Sequence, residues 1–441
     1  MSLVFLALAV AGLGLTANAL LSPERRGRGG PRWVPALFTG ELAPFHAAAH
    51  LGLAGGCAAT GWAGGWAGTA GLAASGLSLA GLGAIQARAG RARRVMEAAA
   101  GEVLGAPVRL PSLRLSRLLR PYPRVPRSVE VARHLAYGPD PAHQADRYRL
   151  RGHRGPAPVL VQVHGGGWTG GRRGWQGRPL MHRLARQGWV VFDLEYRLSP
   201  RATFPDQLID VKRAIGWIRA TAAAHGADAS FVAVTGGSAG GQLAALAALT
   251  AGDPAYQPGF EEADTSVQAC LPIYGVHDLL LEEGRPRWPY LASHVLKITP
   301  DQDPEAWRRA SPARRASADR PPLLVAHGGA DSLVSPGDSR RLVAELRAAG
   351  GPPVGYAEFP GATHGFDSIH SVRGERLAAG AALVLTVLWE RHRTGRGGEG
   401  AARSVAVGAD PHPHGARSAV LLGHLEDDPL AGAETAEDAP G

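Results

Sequence analysis

Gly236-Gly237-Ser238-Ala239-Gly240-Gly241 follows the apolar run Phe231-Val232-Ala233-Val234 after one residue, Thr235, and leads into a strong helix former at residues 242–249. A strand that turns sharply into a helix holds its central serine at strained backbone angles, so residues without Cβ are needed two positions before and after it. Gly236 and Gly240 occupy these positions. The positive end of the following helix favours negative charge beside the turn. The stretch therefore predicts an α/β sheet that presents Ser238 as a nucleophile.

A second glycine run, His164-Gly165-Gly166-Gly167-Trp168, follows another apolar segment at residues 159–163. Glycine amides can approach an acyl carbonyl closely and stabilise the oxygen that becomes negative during acyl transfer. In a chain with 60 glycines, a flexible turn is the alternative interpretation. We expect the loop amides and the amide of Ala239 to form an oxyanion hole. His164 is expected to pin the loop by hydrogen bonding rather than to transfer a proton.

A serine nucleophile needs a base and an acid, and in a sheet of this type the chain order is Ser, Asp, His. Residues 322–326 predict a buried strand that runs into the turn carrying Asp331. Residues 354–359 alternate like a strand and lead into the glycine-flanked turn that carries His364. We expect His364 to accept the proton of Ser238 and Asp331 to orient its imidazole and stabilise imidazolium.

Three other histidines and three other aspartates compete for these roles, namely His327, His277, His370, Asp367, Asp338 and Asp278. His327 precedes the acid turn and is expected to be a structural hydrogen-bonding group. His277 and His370 lack a strand-end turn with a flanking glycine and are expected at the surface. Asp367 is only three residues from His364 and is expected to point away from it, whereas Asp331 comes from a different strand end.

Six motifs together resemble the hormone-sensitive-lipase-like carboxylesterases of the α/β-hydrolase superfamily over roughly residues 128–390. They are His164-Gly165-Gly166-Gly167-Trp168, Glu195-Tyr196-Arg197-Leu198, Phe204-Pro205, Gly236-Gly237-Ser238-Ala239-Gly240, His327 to Asp331, and His364-Gly365-Phe366. The resemblance implies an oxyanion hole at Gly166, Gly167 and Ala239, and hydrolysis of esters with modest acyl chains without a metal or organic cofactor. The chain departs from the family at Gly237, where an acidic residue is usual.

Strand and helix patterns alternate through residues 105–392, which predicts one α/β-hydrolase catalytic domain with a mostly parallel sheet and helices on both faces. Residues 128–150 predict an antiparallel entry hairpin. Residues 278–320 break the alternation with Arg, Trp and Pro. We interpret this insertion as a cap that shapes the acyl pocket, and a plain surface excursion is the alternative.

The first 104 residues predict a membrane region. Residues 1–23 and 42–87 contain no Asp, Glu, Lys or Arg. About 20 residues span a bilayer, so we expect three transmembrane helices at about residues 2–21, 43–62 and 67–87. A buried alanine-rich helical hairpin is the alternative for a soluble protein.

Arginines follow the first predicted span at residues 25–32 and the third at residues 88–94. The positive-inside rule then places both clusters and the catalytic domain on the cytoplasmic side of the plasma membrane. Two spans instead of three would place the catalytic domain outside. A cleavable signal peptide is the rival interpretation of residues 1–21, but the basic region that such a peptide needs is missing.

The formal net charge of +9 derives largely from arginines near the predicted spans, which suits anionic lipid. Aromatic residues are not interleaved with these arginines, so no nucleic-acid partner is expected. Cys57 falls in a predicted span and Cys270 in a strand, so neither a disulfide nor a metal site is expected. Residues 393–441 predict a disordered tail, whose scattered histidines are not expected to bind a metal.

These features lead us to expect a multi-pass membrane protein that hydrolyses a small-molecule or lipid ester as a serine hydrolase. The same three side chains also serve amide or formamide hydrolysis and acyl transfer, which stay open. A non-catalytic membrane protein that keeps the hydrolase fold for binding is the alternative from a different class. The sequence does not fix the oligomeric state.

Overall fold

The computed structural model describes residues 1–21, 32–280 and 288–395 of the 441-residue chain. Nearly all of the predicted tail, most of the first arginine cluster and part of the predicted cap therefore lie outside the described residues.

Eight strands form one sheet in the order β1-β2-β4-β3-β5-β6-β7-β8. The strands are β1 Val129–Ala136, β2 Gln144–Leu150, β3 Ala157–Val163, β4 Val190–Leu194, β5 Ala227–Gly237, β6 Ala269–Ile273, β7 Leu323–Gly328 and β8 Val354–Phe359. β1 and β2 pair antiparallel as the predicted hairpin, and β2 pairs antiparallel with β4. The remaining strands, β3 to β8, are parallel. The predicted mostly parallel sheet is therefore confirmed.

Helices precede the sheet and connect its strands. They are α1 Ser2–Leu20, α2 Trp33–Glu41, α3 Ala43–Ala59, α4 Gly65–Gly90, α5 Ala92–Leu104, α6 Leu115–Leu118, α7 Arg178–Arg186, α8 Asp206–Thr221, α9 Ala239–Leu249, α10 Trp288–Tyr290, α11 Pro304–Arg309, α12 Pro336–Ala348 and α13 Val372–Arg393. In the predicted cap, a π-helical turn at Leu291–Val295 continues α10.

The sheet is covered on both faces, which explains its continuous apolar strands. Every residue of β3 is buried. Val159 and Val161 face one hydrophobic cluster with side chains of α8, α9 and α12, whereas Leu160 faces a second cluster with side chains of α5, α7 and α13. Alternate residues of one strand thus fill two separate cores.

α5 packs into the second of these cores. Met96 and Ala99 have no exposed surface, and a Cβ at Gly355 of β8 or Gly380 of α13 would overlap the backbone or side chain of α5. The predicted domain boundary places α5 before the catalytic domain. Its side chains nevertheless belong to the core beneath the sheet.

α1, α3 and α4 form a bundle whose helices are linked by hydrogen bonds between buried polar side chains. Ser78 Oγ lies 2.8 Å from His50 Nε2 and 2.7 Å from Thr16 Oγ1, and all three residues are buried. Among the described residues, two helical runs are long and apolar enough to cross a membrane, Ser2–Leu20 and the run Gly65–Leu104 that joins α4 to α5. α3 coincides with the middle predicted span but has only 17 residues.

The bundle meets the sheet region at the loop after β8. Arg373 donates from Nη1 to the Glu41 carboxylate at 2.9 Å, from Nη2 to the Ile85 carbonyl at 3.4 Å and from Nε to the Pro360 carbonyl at 3.1 Å. Both members of the ion pair are buried. α2, which no sequence feature predicted, thereby connects the bundle to the sheet region.

Candidate active site

The nucleophile turn joins β5 to α9 at Ser238, whose backbone has φ 60° and ψ −123°. A side-chain-bearing residue in such a region stores on the order of 1–3 kcal/mol of strain. A Cβ at Gly236 or Gly240 would come too close to the Val163 carbonyl oxygen, so glycine is required at both positions. The close approach of β3 to the turn is therefore what demands the glycine pair around Ser238.

The glycine triplet lies against this turn. An ideal Cβ on Gly165 would stand 3.0 Å from the Ser238 Cβ. Gly166 and Gly167 have φ of 125° and 61°, a region that favours glycine. Among the described residues the amides of Gly166 and Gly167 have no hydrogen-bond acceptor, whereas the Gly165 amide donates to Gln176 Oε1 at 2.6 Å. Two loop amides therefore remain available to an anion beside Ser238.

Ala239 is the first residue of α9. An amide at this helix position has no acceptor in its own helix, and the partial positive charge of the helix end lies there. The Ala239 amide is thus a third donor next to the nucleophile.

His164 supports the glycine loop from behind. Its Nδ1 lies 2.7 Å from the Gly165 carbonyl oxygen, and its ring stacks on Tyr196 with centroids 4.3 Å apart. The Tyr196 hydroxyl donates to the His164 carbonyl at 2.9 Å. His164 Nε2 lies 3.2 Å from the Glu195 carboxylate. These contacts hold His164 within the loop as a structural support.

Asp331 and His364 form a buried pair at the ends of β7 and β8. His364 Nδ1 lies 2.6 Å from Asp331 Oδ2. The other carboxylate oxygen accepts the amides of Leu333 and Val334, each at 2.9 Å. Burial alone would raise the pKa of Asp331, but the charges and hydrogen bonds of His364 and His327 hold this pKa well below its usual value. Asp331 therefore stays ionised and fixes the orientation of the His364 ring.

Tyr274 lies between the nucleophile turn and the base. Its ring centroid is 4.5 Å from that of His364, and an ideal Cβ on Gly237 would be 2.8 Å from its hydroxyl oxygen. The described residues contain no hydrogen bond between Ser238 Oγ and His364. Such bonds are often long in unliganded enzymes and tighten when substrate binds. The structure thus brings Asp331 and His364 together, and Tyr274 contacts both the His364 ring and the turn that carries Ser238.

A second carboxyl group, Asp367, lies close to this base. The Tyr274 hydroxyl donates a hydrogen bond to it. Burial raises the pKa of Asp367, which the Tyr274 hydrogen bond and the nearby His364 charge only partly oppose. Gly237, where the resembling family carries an acidic residue, leaves the space that the Tyr274 hydroxyl fills. That hydroxyl is the one that donates to Asp367.

The rival histidines have other partners as well, although His327 Nε2 also lies 3.5 Å from Asp331 Oδ2. His327 Nδ1 lies 2.7 Å from Ser339 Oγ and its Nε2 lies 3.1 Å from a backbone carbonyl, as expected of a structural group. The expectation that His277 and His370 are surface residues is wrong. His277 has no exposed surface, and His370 is largely buried and bound to the Glu375 carboxylate at 2.6 Å. Packing against other elements hides both, which local sequence could not indicate.

The rival acids also have other partners. Asp338 accepts the backbone amides of His277 and Asp278 at 2.9 and 3.1 Å. Asp278 pairs with Arg314 and Arg341 at 3.0 and 2.9 Å.

Two aromatic residues beside the site were missed in the sequence. The Tyr290 hydroxyl, from the predicted cap, donates to the Gly167 carbonyl at 2.7 Å. Trp33 of α2 meets the His364 ring edge-on with centroids 5.7 Å apart. Both residues reach the site through contacts between distant segments. Only the unusual composition of the 278–320 insertion hinted at Tyr290, and nothing hinted at Trp33.

This sheet order, with a strained serine after one central strand and an Asp-His pair after the last two, defines an α/β-hydrolase fold. A solved structure of esterase B from Lactobacillus rhamnosis shows the same fold, with a TM-score of 0.52 and 22% sequence identity over 62% of this chain and 90% of that chain.

A family model described as BD-FAE matches residues 146–346. The chain is 45% identical over 244 residues to the probable carboxylic ester hydrolase LipM of Mycobacterium tuberculosis, covering 55% of this chain and 57% of LipM. It is 43% identical over 257 residues to esterase LipQ of the same organism, covering 58% of this chain and 60% of LipQ. The chain thus spans about three fifths of these relatives. Together the findings support a relationship to the carboxylesterases.

Proposed function

We propose that this chain is a membrane-anchored serine carboxylesterase or lipase that acts through Ser238, His364 and Asp331. The observation that carries the proposal is the 2.6 Å Asp331–His364 contact at the edge of the sheet where Ser238 follows β5. The three available amides of Gly166, Gly167 and Ala239 next to Ser238 add an anion site of the kind that acyl transfer needs. The relatives named as ester hydrolases support an ester as the substrate.

In the acylation step the Ser238 Oγ forms a bond to the ester carbonyl carbon while its proton passes to His364 Nε2. The carbonyl oxygen becomes negative and accepts hydrogen bonds from Gly166, Gly167 and Ala239, each of which contributes about 3 kcal/mol to lowering the barrier. The bond to the leaving alkoxide breaks, and His364 returns the proton to it. Water then attacks the acyl-enzyme by the same route and releases the acid.

Asp331 acts through His364. Because its pKa is held low, it is ionised throughout the working range of the base and stabilises the imidazolium that forms when Ser238 is deprotonated. Its fixed hydrogen bond to Nδ1 also leaves Nε2 as the free acceptor for the serine proton.

α1, α3 and α4 serve in this proposal as three spans that hold the catalytic region at the cytoplasmic face of the plasma membrane. Large apolar side chains such as Leu3 and Leu8 point outward from α1, which suits lipid rather than water. An odd number of spans leaves the arginines after α1 and those after α4 on one side.

Hydrolysis of a short-chain nitrophenyl ester and labelling by a fluorophosphonate test the proposal. We expect Ser238→Ala to abolish labelling and to reduce kcat by about 10⁴-fold or more. The matched control is Ser230→Ala, because Ser230 is an exposed serine on the same strand. Hydrolysis that survives in Ser238→Ala, or a wild-type chain that neither labels nor turns over, would overturn the proposal. An amide and a formamide assayed in parallel distinguish ester from amide chemistry.

A further inference from the structure

α2 contacts the loop that carries the base. Trp33 meets the His364 ring, and one turn later Leu37 packs on the next residue, where an ideal Cβ on Gly365 would lie 3.5 Å from the Leu37 side chain. At the end of α2 the buried Glu41 binds Arg373 in the first turn of α13, and Arg373 also donates to the Pro360 carbonyl of this loop. The N-terminal region therefore completes the surroundings of His364.

The ends of the proposed spans lie at this same loop. Arg88, at the end of α4, donates to the Leu20 carbonyl at the end of α1 at 3.3 Å, so the two helices end at one level. An ideal Cβ on Gly361, three residues before His364, would lie 3.4 Å from the Arg88 side chain. If α1 and α4 cross the bilayer, the base lies at the level of their cytoplasmic ends.

A second face of α2 is apolar and uncovered. Val34 and Phe38 are 37% and 38% exposed, and residues four apart lie on one helix face. Val34 and Phe38 lie beside Trp33 and Leu37 on α2, and Trp33 and Leu37 cover the loop that carries His364, which we call the catalytic loop. Leu333, two residues after Asp331, is also exposed, at 47%. Apolar side chains at the level of span ends are favourable in the lipid interface.

We propose that α2 inserts its apolar face into the bilayer interface and thereby holds the catalytic loop at that interface. Ser238 then receives its substrate from the lipid phase. The substrate class is then acyl esters that reside in the membrane, in preference to esters dissolved in water. This inference rests on the proposed esterase activity and membrane insertion. Trp33 acts as a positioning residue for His364, while Val34 and Phe38 form the lipid-facing side of the same helix.

The test uses the full chain in vesicles of phosphatidylcholine and phosphatidylglycerol and two probes. Nitrophenyl butyrate is largely dissolved in water, and nitrophenyl palmitate resides in the bilayer. The measured quantity is the ratio of the palmitate rate to the butyrate rate. Because α1 and α4 keep every variant in the vesicle, this ratio reports how the ester reaches the site rather than how much protein is bound.

We expect Phe38→Asp to lower the ratio about tenfold, because a charged side chain opposes insertion of α2 into the interface. Phe38→Leu, which keeps an apolar side chain, should restore the ratio, and Val34→Asp should repeat the loss at an independent position. A ratio unchanged in both Asp variants, with turnover that still depends on Ser238, would overturn the inference alone. Absence of Ser238-dependent turnover of either probe would instead overturn the proposed function.

Discussion

The helical bundle exposes several large apolar side chains on its outer surface, whereas the sheet region buries them. In the bundle, Leu3 and Leu8 of α1 are more than half exposed, whereas the hydrogen-bonded Thr16, His50 and Ser78 are buried. In the sheet region every residue of β3 is buried. Small and polar residues inside with apolar residues outside suit helices in lipid, while the reverse suits a domain in water. This contrast is the one that the proposed membrane insertion of the bundle leads us to expect.

The two regions are connected by the buried ion pair of Glu41 and Arg373. Removing one of its charges should give the largest loss of stability among the variants proposed here. Glu41→Ala leaves Arg373 buried without its carboxylate and should cost about 3–5 kcal/mol of stability. Thermal unfolding of the detergent-solubilised chain, followed by tryptophan fluorescence, measures this loss as a lower Tm. The double variant Glu41→Met with Arg373→Met removes both charges and should recover much of the lost stability.

A Tm of Glu41→Ala within about one degree of wild type would contradict this expectation, because a loss of about 3–5 kcal/mol should lower Tm by about 3–5 °C in a chain of this size. The two regions would then be independent units that touch without stabilising one another.

Acid should weaken the sheet region through His182 of α7. Burial, reinforced by the positive charges of Arg178 and His370, lowers the pKa of His182 to about 4. The unfolded chain takes up this proton near pH 6.5, so the stability that the neutral ring contributes is present above that pH and is lost as the pH falls towards 4. The loss amounts to about 3 kcal/mol at most. Urea unfolding between pH 7 and pH 4 measures it.

The variant His182→Phe keeps a ring in this place but cannot titrate. We expect its stability to fall less steeply over the same pH range than that of the wild type. Parallel slopes for the two proteins would show that His182 takes up its proton over the same pH range in the folded and unfolded chains, against the direction of its pKa shift.

The sequence predicted those features that depend on neighbours along the chain. The strand before Ser238, the helix after it and the glycines between them are consecutive, so the turn could be derived from residues 231–249 alone. The parallel sheet followed from apolar runs of strand length, and the helices of the bundle followed from charge-free runs. The role suggested for His164 rested on its position at the start of the glycine run, which is also a local feature.

Features made by distant segments could not be derived in this way. Trp33 and His364 are more than three hundred residues apart, and no local pattern connects them. The burial of His277 and the packing of α5 beneath β8 depend in the same manner on where other elements lie. Gly237 was visible as a departure from the resembling family, but the Tyr274 hydroxyl that fills its space became evident only in the folded chain.

Gly237 and Tyr274 offer a test confined to the sheet region. A Cβ on Gly237 would stand 2.8 Å from the Tyr274 hydroxyl, so Gly237→Ala should displace the ring that contacts His364. We expect kcat for a short-chain ester to fall about tenfold, which corresponds to roughly 1.4 kcal/mol in the barrier. In a Tyr274→Phe background the same substitution should cost less, because the obstructing oxygen is gone. Equal costs in both backgrounds would show that the two residues do not interact.

The smallest effect is expected inside the bundle, where α1 offers two glycines with opposite surroundings. A Cβ on Gly12 would overlap the imidazole of His50, whereas nothing lies within 4 Å of a Cβ on Gly14. Gly12→Ala should therefore destabilise the bundle by about 1 kcal/mol net, since overpacking outweighs the gain in helix propensity. Gly14→Ala should be neutral or stabilising by up to about 1 kcal/mol. Thermal unfolding in detergent, followed by circular dichroism, compares the two variants, and equal effects would mean that His50 does not pack against α1.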